Sequence, residues 1–335
     1  MKVLVTGGAG YIGTHTCVEL LNAGHEIVVF DNFYNSSSES IDRVKQITGK
    51  DFAFYECDML DKDALDKIFC EHEIDAVIHF AGYKAVGESV AKPIMYFHNN
   101  ITGTLCLLEV MKAHNCKKIV FSSSATVYGD PHSVPIKEDF PLSATNPYGR
   151  TKLMIEEIMR DLWISDNEWS IVLLRYFNPV GAHESGLIGE NPKGLPNNIM
   201  PRITQVAVGR LPHVSVFGTD YPTKDGTGVR DYIHVVDLAK GHVKALEYCE
   251  NNTAVEAINL GTGNGYSVLE LINTFAEVNN VEVPRKLEAR RPGDIAACYA
   301  DPAKAEKLLG WKAELGLEEM VRDSWMWQSK NPEGF

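Results

Sequence analysis

A short apolar strand that runs straight into a glycine-rich turn and then a helix restricts this chain more than any other feature. Met1-Lys2-Val3-Leu4-Val5-Thr6 reads as a buried strand. Gly7-Gly8-Ala9-Gly10-Tyr11-Ile12-Gly13 follows at once, and Thr14 to Leu21 reads as an amphipathic helix ending near Gly24. Gly8, Gly10 and Gly13 satisfy Gly-x-Gly-x-x-Gly, with Gly7 in addition. Glycines here permit a tight turn and close approach of backbone to a pyrophosphate, which a helix N-terminus favours. Alone the pattern is weak; the strand before it and the helix after it give it meaning. The expected cradle is Gly7, Gly10, Tyr11, Ile12 and Gly13.

The next strand, Glu26 to Phe30, ends in Asp31-Asn32. An acid about 20 residues beyond a glycine turn is where a ribose diol is held. Its charge repels a 2′-phosphate, so the expected cofactor is NAD and not NADP. Further strands read at 51–56, 75–80, 118–122 and 169–175, with helices at 60–72, 93–114 and from 152 onward. Alternation of this kind predicts a Rossmann-type α/β fold, a doubly wound parallel sheet with ligand at the carboxyl ends of the strands. Gly8, Asp31, Asp58, Ala81 and Ser124 all fall at such ends. Asp58 is placed to accept from an adenine amino group. Lys84 lies in a loop after the fourth strand. Asn99 and Asn100, poor helix formers, sit inside a helical run, with one of them expected to face the cofactor.

Tyr148 and Lys152 stand four residues apart at the start of a helical run behind Asn146-Pro147, so they share a face. An ammonium beside a phenol favours the phenolate and lowers its pKa. A phenol so tuned can take a proton from a sugar or alcohol hydroxyl and return it. Ser122-Ser123-Ser124, at the end of an apolar run, offers a hydroxyl for the same oxygen. The pair is common in ordinary helices and acquires weight only from its surroundings.

Charge excludes some functions. With 32 basic and 45 acidic side chains the net charge is -13, which argues against non-specific nucleic-acid binding. The seven cysteines include no Cys-x-x-Cys and the eleven histidines no His-Glu-x-x-His, so neither a disulfide framework nor a metal site is expected. Reduced thiols and the absence of a signal-like or membrane-spanning apolar run point to a cytoplasmic protein.

After Arg175 the alternation breaks down and a smaller α/β substrate-binding lobe is expected. The division falls at 1–177 and 178–335, with the strand at 256–260 able to return to the first sheet. A helix reads over 197–210 and a terminal one over 317–327. A diphosphate on this acidic chain needs fixed cations, for which Arg230 and Arg291 are the candidates. Asn178 and Asn198 add neutral donors, Phe217 a ring for stacking and Asp294 an acceptor for ribose. Arg230-Asp231 also reads as a local ion pair, and Phe217 as a core residue.

With these segments in view the chain resembles the extended short-chain dehydrogenase/reductases, and within them the UDP-galactose 4-epimerases. The resemblance is carried by GGAGYIG at 7–13, HFAGYKAVGESV at 79–90, SSSATVYGD at 122–130, NPYGRTK at 146–152, LLRYFNPVGAH at 173–183, PNNIMP at 196–201, GVRDYIHVVDLA at 228–239 and RRPGD at 290–294. It implies interconversion of UDP-galactose and UDP-glucose through NAD-dependent oxidation at the sugar 4-position. In that reading Tyr148 is the base, Lys152 and Ser124 its partners. It further implies cofactor contacts from Asn32, Asn35, Ser36, Met59, Phe80, Ser122 and Phe177, and substrate contacts from Lys84, Ile199 and Tyr232. A homodimer through the helices starting near Pro93 and Pro147 is implied too. Related dehydratases carry Asp-Glu after the serine or threonine; here Ala125-Thr126 stands there, which argues against net dehydration. Cys298 stands where bacterial-type members often carry a Tyr that walls the sugar pocket. A thiol there implies room for an acetamido group, hence turnover of the N-acetylated UDP-sugars as well. Action on another nucleotide sugar, such as UDP-glucuronate, is the alternative.

Overall fold

The computed structural model describes residues 1–291 and 293–335. The chain begins with β1 (Lys2–Thr6), α1 (Tyr11–Asn22), β2 (Glu26–Asp31), α2 (Ser38–Thr48), β3 (Ala53–Glu56), α3 (Lys62–Glu71) and β4 (Ala76–His79). Helices α4 (Val86–Ala91), α5 (Pro93–Phe97) and α6 (Gly103–Ala113) lead to β5 (Lys118–Ser124). Then come α7 (Pro147–Ser165) and β6 (Ser170–Tyr176). The second half contains β7 (Asn178–Val180), α8 (Ile199–Ala207), β8 (Val214–Phe217), β9 (Val229–Arg230), β10 (Tyr232–His234), α9 (Val235–Asn251) and β11 (Val255–Leu260). It ends with β12 (Tyr266–Ser267), α10 (Val268–Asn279), β13 (Arg285–Glu288), β14 (Ala297–Cys298), α11 (Ala303–Leu309) and α12 (Leu317–Lys330).

Seven strands form one parallel sheet in the order β11-β6-β5-β4-β1-β2-β3. The pleat sends alternate residues to opposite faces. Val3 and Val5 pack with α1, α2, α9 and α11 through Cys17, Ile41, Leu238, Leu246 and Leu309. Leu4 packs on the other face with Leu65, Ile68, Leu107, Ile155 and Met159 from α3, α6 and α7. Both faces are therefore covered, as a parallel sheet requires. β11 pairs with β6 from Val255↔Ile171 to Leu260↔Tyr176, so the chain comes back to the main sheet after leaving it. The second lobe has its own core of Met200, Ile203, Val214, Val216, Leu271, Phe275, Met320 and Val321.

The run expected as one helix over 93–114 is interrupted. His98–Thr102 forms a π-helical turn between α5 and α6. The cause is visible in Asn100, 3% exposed. Its Oδ1 accepts the Tyr83 N–H at 2.8 Å, and its Nδ2 donates to Tyr83 O at 3.0 Å and Thr151 Oγ1 at 3.1 Å. A wider turn offsets the helical register so that this amide ties the loop after β4 to α7; such turns recur at functional sites. Among the described residues, no helix is long and apolar enough to cross a membrane.

Candidate active site

The glycine turn is built for close approach. Gly7 has φ +66°, and a Cβ on it would stand 2.8 Å from Ala81 N; one on Gly13 would stand 2.5 Å from Gly7 O. A side chain at Gly7 would push against the backbone of Phe80 and Ala81 after β4, and one at Gly13 would push α1 off the glycine turn. Gly10 precedes α1 with no side-chain cap, which leaves the first N–H groups of the helix open to an anion. Asp31 lies beside the turn, 8% exposed. Its Oδ2 accepts from Ala9 N–H at 3.1 Å, and its Oδ1 from Phe33 N–H and Ser36 Oγ at 2.9 and 2.8 Å. Asn32 Nδ2 donates to Asp58 at 2.8 Å, so these two flank a common edge. Met59 is buried under Gly103, Ala81 N–H is held by Thr6 Oγ1 at 3.2 Å, and Phe80 packs on His242. Asn35 Oδ1 accepts from Lys193 N–H at 3.2 Å. An uncapped helix start, a turn that requires glycine at positions 7 and 13 and a carboxylate at the next strand end together fit a dinucleotide with free ribose hydroxyls.

The candidate catalytic groups stand at the end of β5 and the start of α7. Asn146 caps α7 through Gly149 N–H at 2.9 Å, and Pro147 opens the helix. The helix packs on the 3₁₀ turn Ala125–Tyr128 that Ser124 begins. Ser124 Oγ accepts from Thr126 N–H and Oγ1 at 3.2 and 3.0 Å. Lys152 is 5% exposed and donates from Nζ to Ser122 O at 2.6 Å. Its Nζ is 6.0 Å from the Tyr148 ring centre.

This corrects one expectation. Lys152 was expected to depress the Tyr148 phenol, but its Nζ donates to the Ser122 carbonyl and stands 6.0 Å from the ring centre. Burial instead pushes Tyr148 above its ordinary value, opposed by the Ser124 hydroxyl. Lys152 itself is lowered to about 7 by burial, with the Glu156 charge opposing. Ser122 Oγ bonds the Tyr176 hydroxyl, so of its groups the carbonyl is the one turned to Lys152.

Behind these groups lies a buried ion pair that motif reading missed. Glu156 and Arg175 are 0% and 1% exposed. Arg175 grips the carboxylate with Nε and Nη2 at 2.9 and 2.5 Å, and Ser123 Oγ donates to it at 2.5 Å. Arg175 also donates to the Tyr128 hydroxyl at 3.0 Å, which donates to Asn259 Oδ1 at 2.6 Å. The network ties α7, β5, β6 and β11 around the candidate base.

The substrate-side candidates separate into groups. Arg291 lies over the Phe217 ring at 4.7 Å and pairs with Asp294 at 3.0 Å, so three of them meet. Pro292 between them lies outside the described residues. Arg230 and Cys298 are register partners in β9 and β14. Arg230 does not pair with Asp231; it donates to Val229 O and Ile295 O at 2.8 and 3.0 Å. Asp231 is buried and accepts from Thr262, Gly263 and Ala300 N–H groups and from Thr262 Oγ1, so it pins the lobe together. Cys298 packs against the Phe177 and Tyr128 cluster, and burial pushes its thiol up to about 11. The Tyr299 ring instead lies against Gly265. Asn178 hangs on Asp231 O through its N–H at 3.0 Å. Ile199 begins α8 and is half-buried. Tyr232 is placed differently from the expectation: at 1% exposed it packs with Val180, Met200 and Leu271 in the core of the lobe.

Lys84 and Asn198 meet on Glu190, a residue no motif singled out. Asn198 Nδ2 donates to Glu190 Oε1 at 2.6 Å, and Lys84 Nζ is 3.5 Å from the same oxygen. Asn99 is half-buried and donates to Asn100 at 3.0 Å. Away from the site, Asp66, Cys70 and His114 converge within 4.8 Å, a grouping that sequence spacing does not reveal.

Comparison with known proteins agrees with this geometry. The family model of GDP-mannose 4,6-dehydratase matches residues 4–324. A UDP-glucose 4-epimerase of Bacillus subtilis is 68% identical over 335 residues, covering 100% of this chain and 99% of the relative. The structure of UDP-glucose 4-epimerase from Bifidobacterium longum in complex with NAD+ and UDP superposes with a TM-score of 0.97 at 58% identity, covering 100% of each chain. That of the Stenotrophomonas maltophila enzyme, with bound NAD and formylated UDP-arabinopyranose, does so with a TM-score of 0.97 at 51% identity and 98% coverage of each. The chain thus belongs to the GDP-mannose 4,6-dehydratase family of extended short-chain dehydrogenase/reductases and, within it, to the UDP-glucose 4-epimerases.

Proposed function

We propose that this protein interconverts UDP-galactose and UDP-glucose, with NAD held in the glycine cradle. The observation that carries the reading is the meeting of Tyr148, Ser124 and Lys152 at the strand ends beside that cradle. NAD, when bound, supplies the acceptor and then the donor of a hydride at the sugar 4-position. The chain's own groups handle the proton and the fit. Tyr148 takes the proton of the 4-hydroxyl and later returns it. Ser124 holds the same oxygen, and Lys152 holds the cofactor ribose. Gly7, Gly10, Tyr11, Ile12 and Gly13 receive the pyrophosphate, Asp31 the ribose diol and Asp58 the adenine. Arg230, Arg291, Asn178 and Asn198 grip the diphosphate, and Phe217 and Asp294 the uridine. A grip on the nucleotide with a loosely held sugar lets the ring present either face. Ala125 and Thr126 place no carboxyl beside Ser124, which supports a redox-neutral outcome over dehydration.

The division of labour follows residues 1–177 for the cofactor and 178–335 for the nucleotide sugar. A cytoplasmic homodimer, joined through α5–α7, is the working assembly. The small Cys298 side chain at the sugar pocket supports turnover of UDP-N-acetylgalactosamine and UDP-N-acetylglucosamine too. The assignment of the base is tested with Tyr148→Phe. That variant should retain NAD and lose turnover by about 10²–10⁴-fold; near-normal turnover refutes the assignment.

A further inference from the structure

Glu190 is nine-tenths buried, with 10% of its side chain exposed, on the loop between β7 and α8. One carboxylate oxygen holds Asn198 Nδ2 and Lys84 Nζ; the other, Oε2, is buried without a hydrogen-bond partner. Its charge also reaches Tyr11 at the start of α1, where it adds to burial in raising the phenol. Asn198 is the N-cap of the nine-residue α8 yet makes no side-chain cap, because its amide is turned to Glu190. Ile199 and Met200 N–H are therefore uncapped, and Pro201 has none to give. A cation, an amide and an open helix N-terminus form a donor set suited to a phosphate, and a carboxylate already engages two of its members.

We infer that Glu190 is a positioning residue that acts as an internal anion: it holds Lys84 and Asn198 ready and competes with an incoming nucleotide diphosphate for them. The inference rests on the nucleotide-sugar reading above. Like charges in one site oppose each other, so the carboxylate weakens diphosphate binding and speeds its release, while keeping the two donors from collapsing elsewhere. Neutralising it should tighten the nucleotide without touching the proton chemistry.

The test is calorimetric titration of UDP into the purified, cofactor-containing protein, with wild type, Glu190→Gln, Lys84→Met and the double variant. Glu190→Gln should lower the UDP Kd by about three- to tenfold at low salt. It should lower KM for UDP-galactose by a similar factor while kcat does not rise. In the Lys84→Met background the gain should shrink to less than about twofold. An unchanged or weakened UDP affinity in Glu190→Gln overturns the inference, as does a full gain that survives loss of Lys84. If the Gln variant does not fold, Glu190→Asp, which draws the carboxylate back by one methylene, should tighten UDP more modestly; no tightening overturns it equally. A wild-type protein that fails to bind UDP at all refutes the functional reading, and this inference with it.

Discussion

Replacing Arg175 by Met should destabilise the protein severely and for an electrostatic reason. The guanidinium is 1% exposed and satisfies both oxygens of a Glu156 carboxylate that is 0% exposed. Removing it leaves that carboxylate with the Ser123 hydroxyl at 2.5 Å and the edge of Arg160 at 3.8 Å. An uncompensated buried charge costs about 3–5 kcal/mol. At about 2.1 cal/mol/K of unfolding entropy per residue, 335 residues convert this to a fall in Tm of about 4–7 °C. Removing both charges together, as Arg175→Met with Glu156→Leu, should recover most of the loss, because no ion is then stranded. Calorimetry at fixed cofactor content reads the effect, since bound ligand raises Tm by mass action. A single variant within about 1 °C of wild type, or a double variant worse than the single, refutes the reasoning.

Lys152 carries a pH signature. Its ammonium is lowered from 10.5 to about 7, chiefly by burial, so between those values the unfolded chain binds the extra proton. Stability should therefore rise with pH across that window, by up to roughly 4–5 kcal/mol relative to Lys152→Met; parallel stability curves for the two proteins contradict it. Cys298→Tyr should cut turnover of UDP-N-acetylgalactosamine by about tenfold or more while UDP-galactose stays within about threefold. Equal losses on both substrates show that Cys298 does not set pocket size.

What motifs could reveal was local. The strand–glycine–helix unit, the acid at the end of β2 and the Tyr148–Lys152 spacing each lie within one continuous stretch, and each fell where a doubly wound sheet needs it. The direction of the Tyr148 pKa shift was not legible, because it depends chiefly on burial of the phenol, which only packing between distant segments sets. Glu156 with Arg175, Asp231 with Ala300, and Glu190 with Lys84 are pairings across elements. No periodicity marks them, and an Arg-Asp neighbour in sequence is read as a pair when its members face apart. The π-helical turn was hidden for the same reason. Asn99-Asn100 signalled a weak point in the helix, but the partners that decide its shape, Tyr83 and Thr151, belong to other segments.

Purified protein incubated with UDP-galactose and no added NAD, with the products then separated, shows whether the chain epimerises on a cofactor of its own. UDP-glucose should appear, formed with a cofactor that the protein retains through purification. No UDP-glucose, even after NAD is supplied, would contradict the epimerase reading.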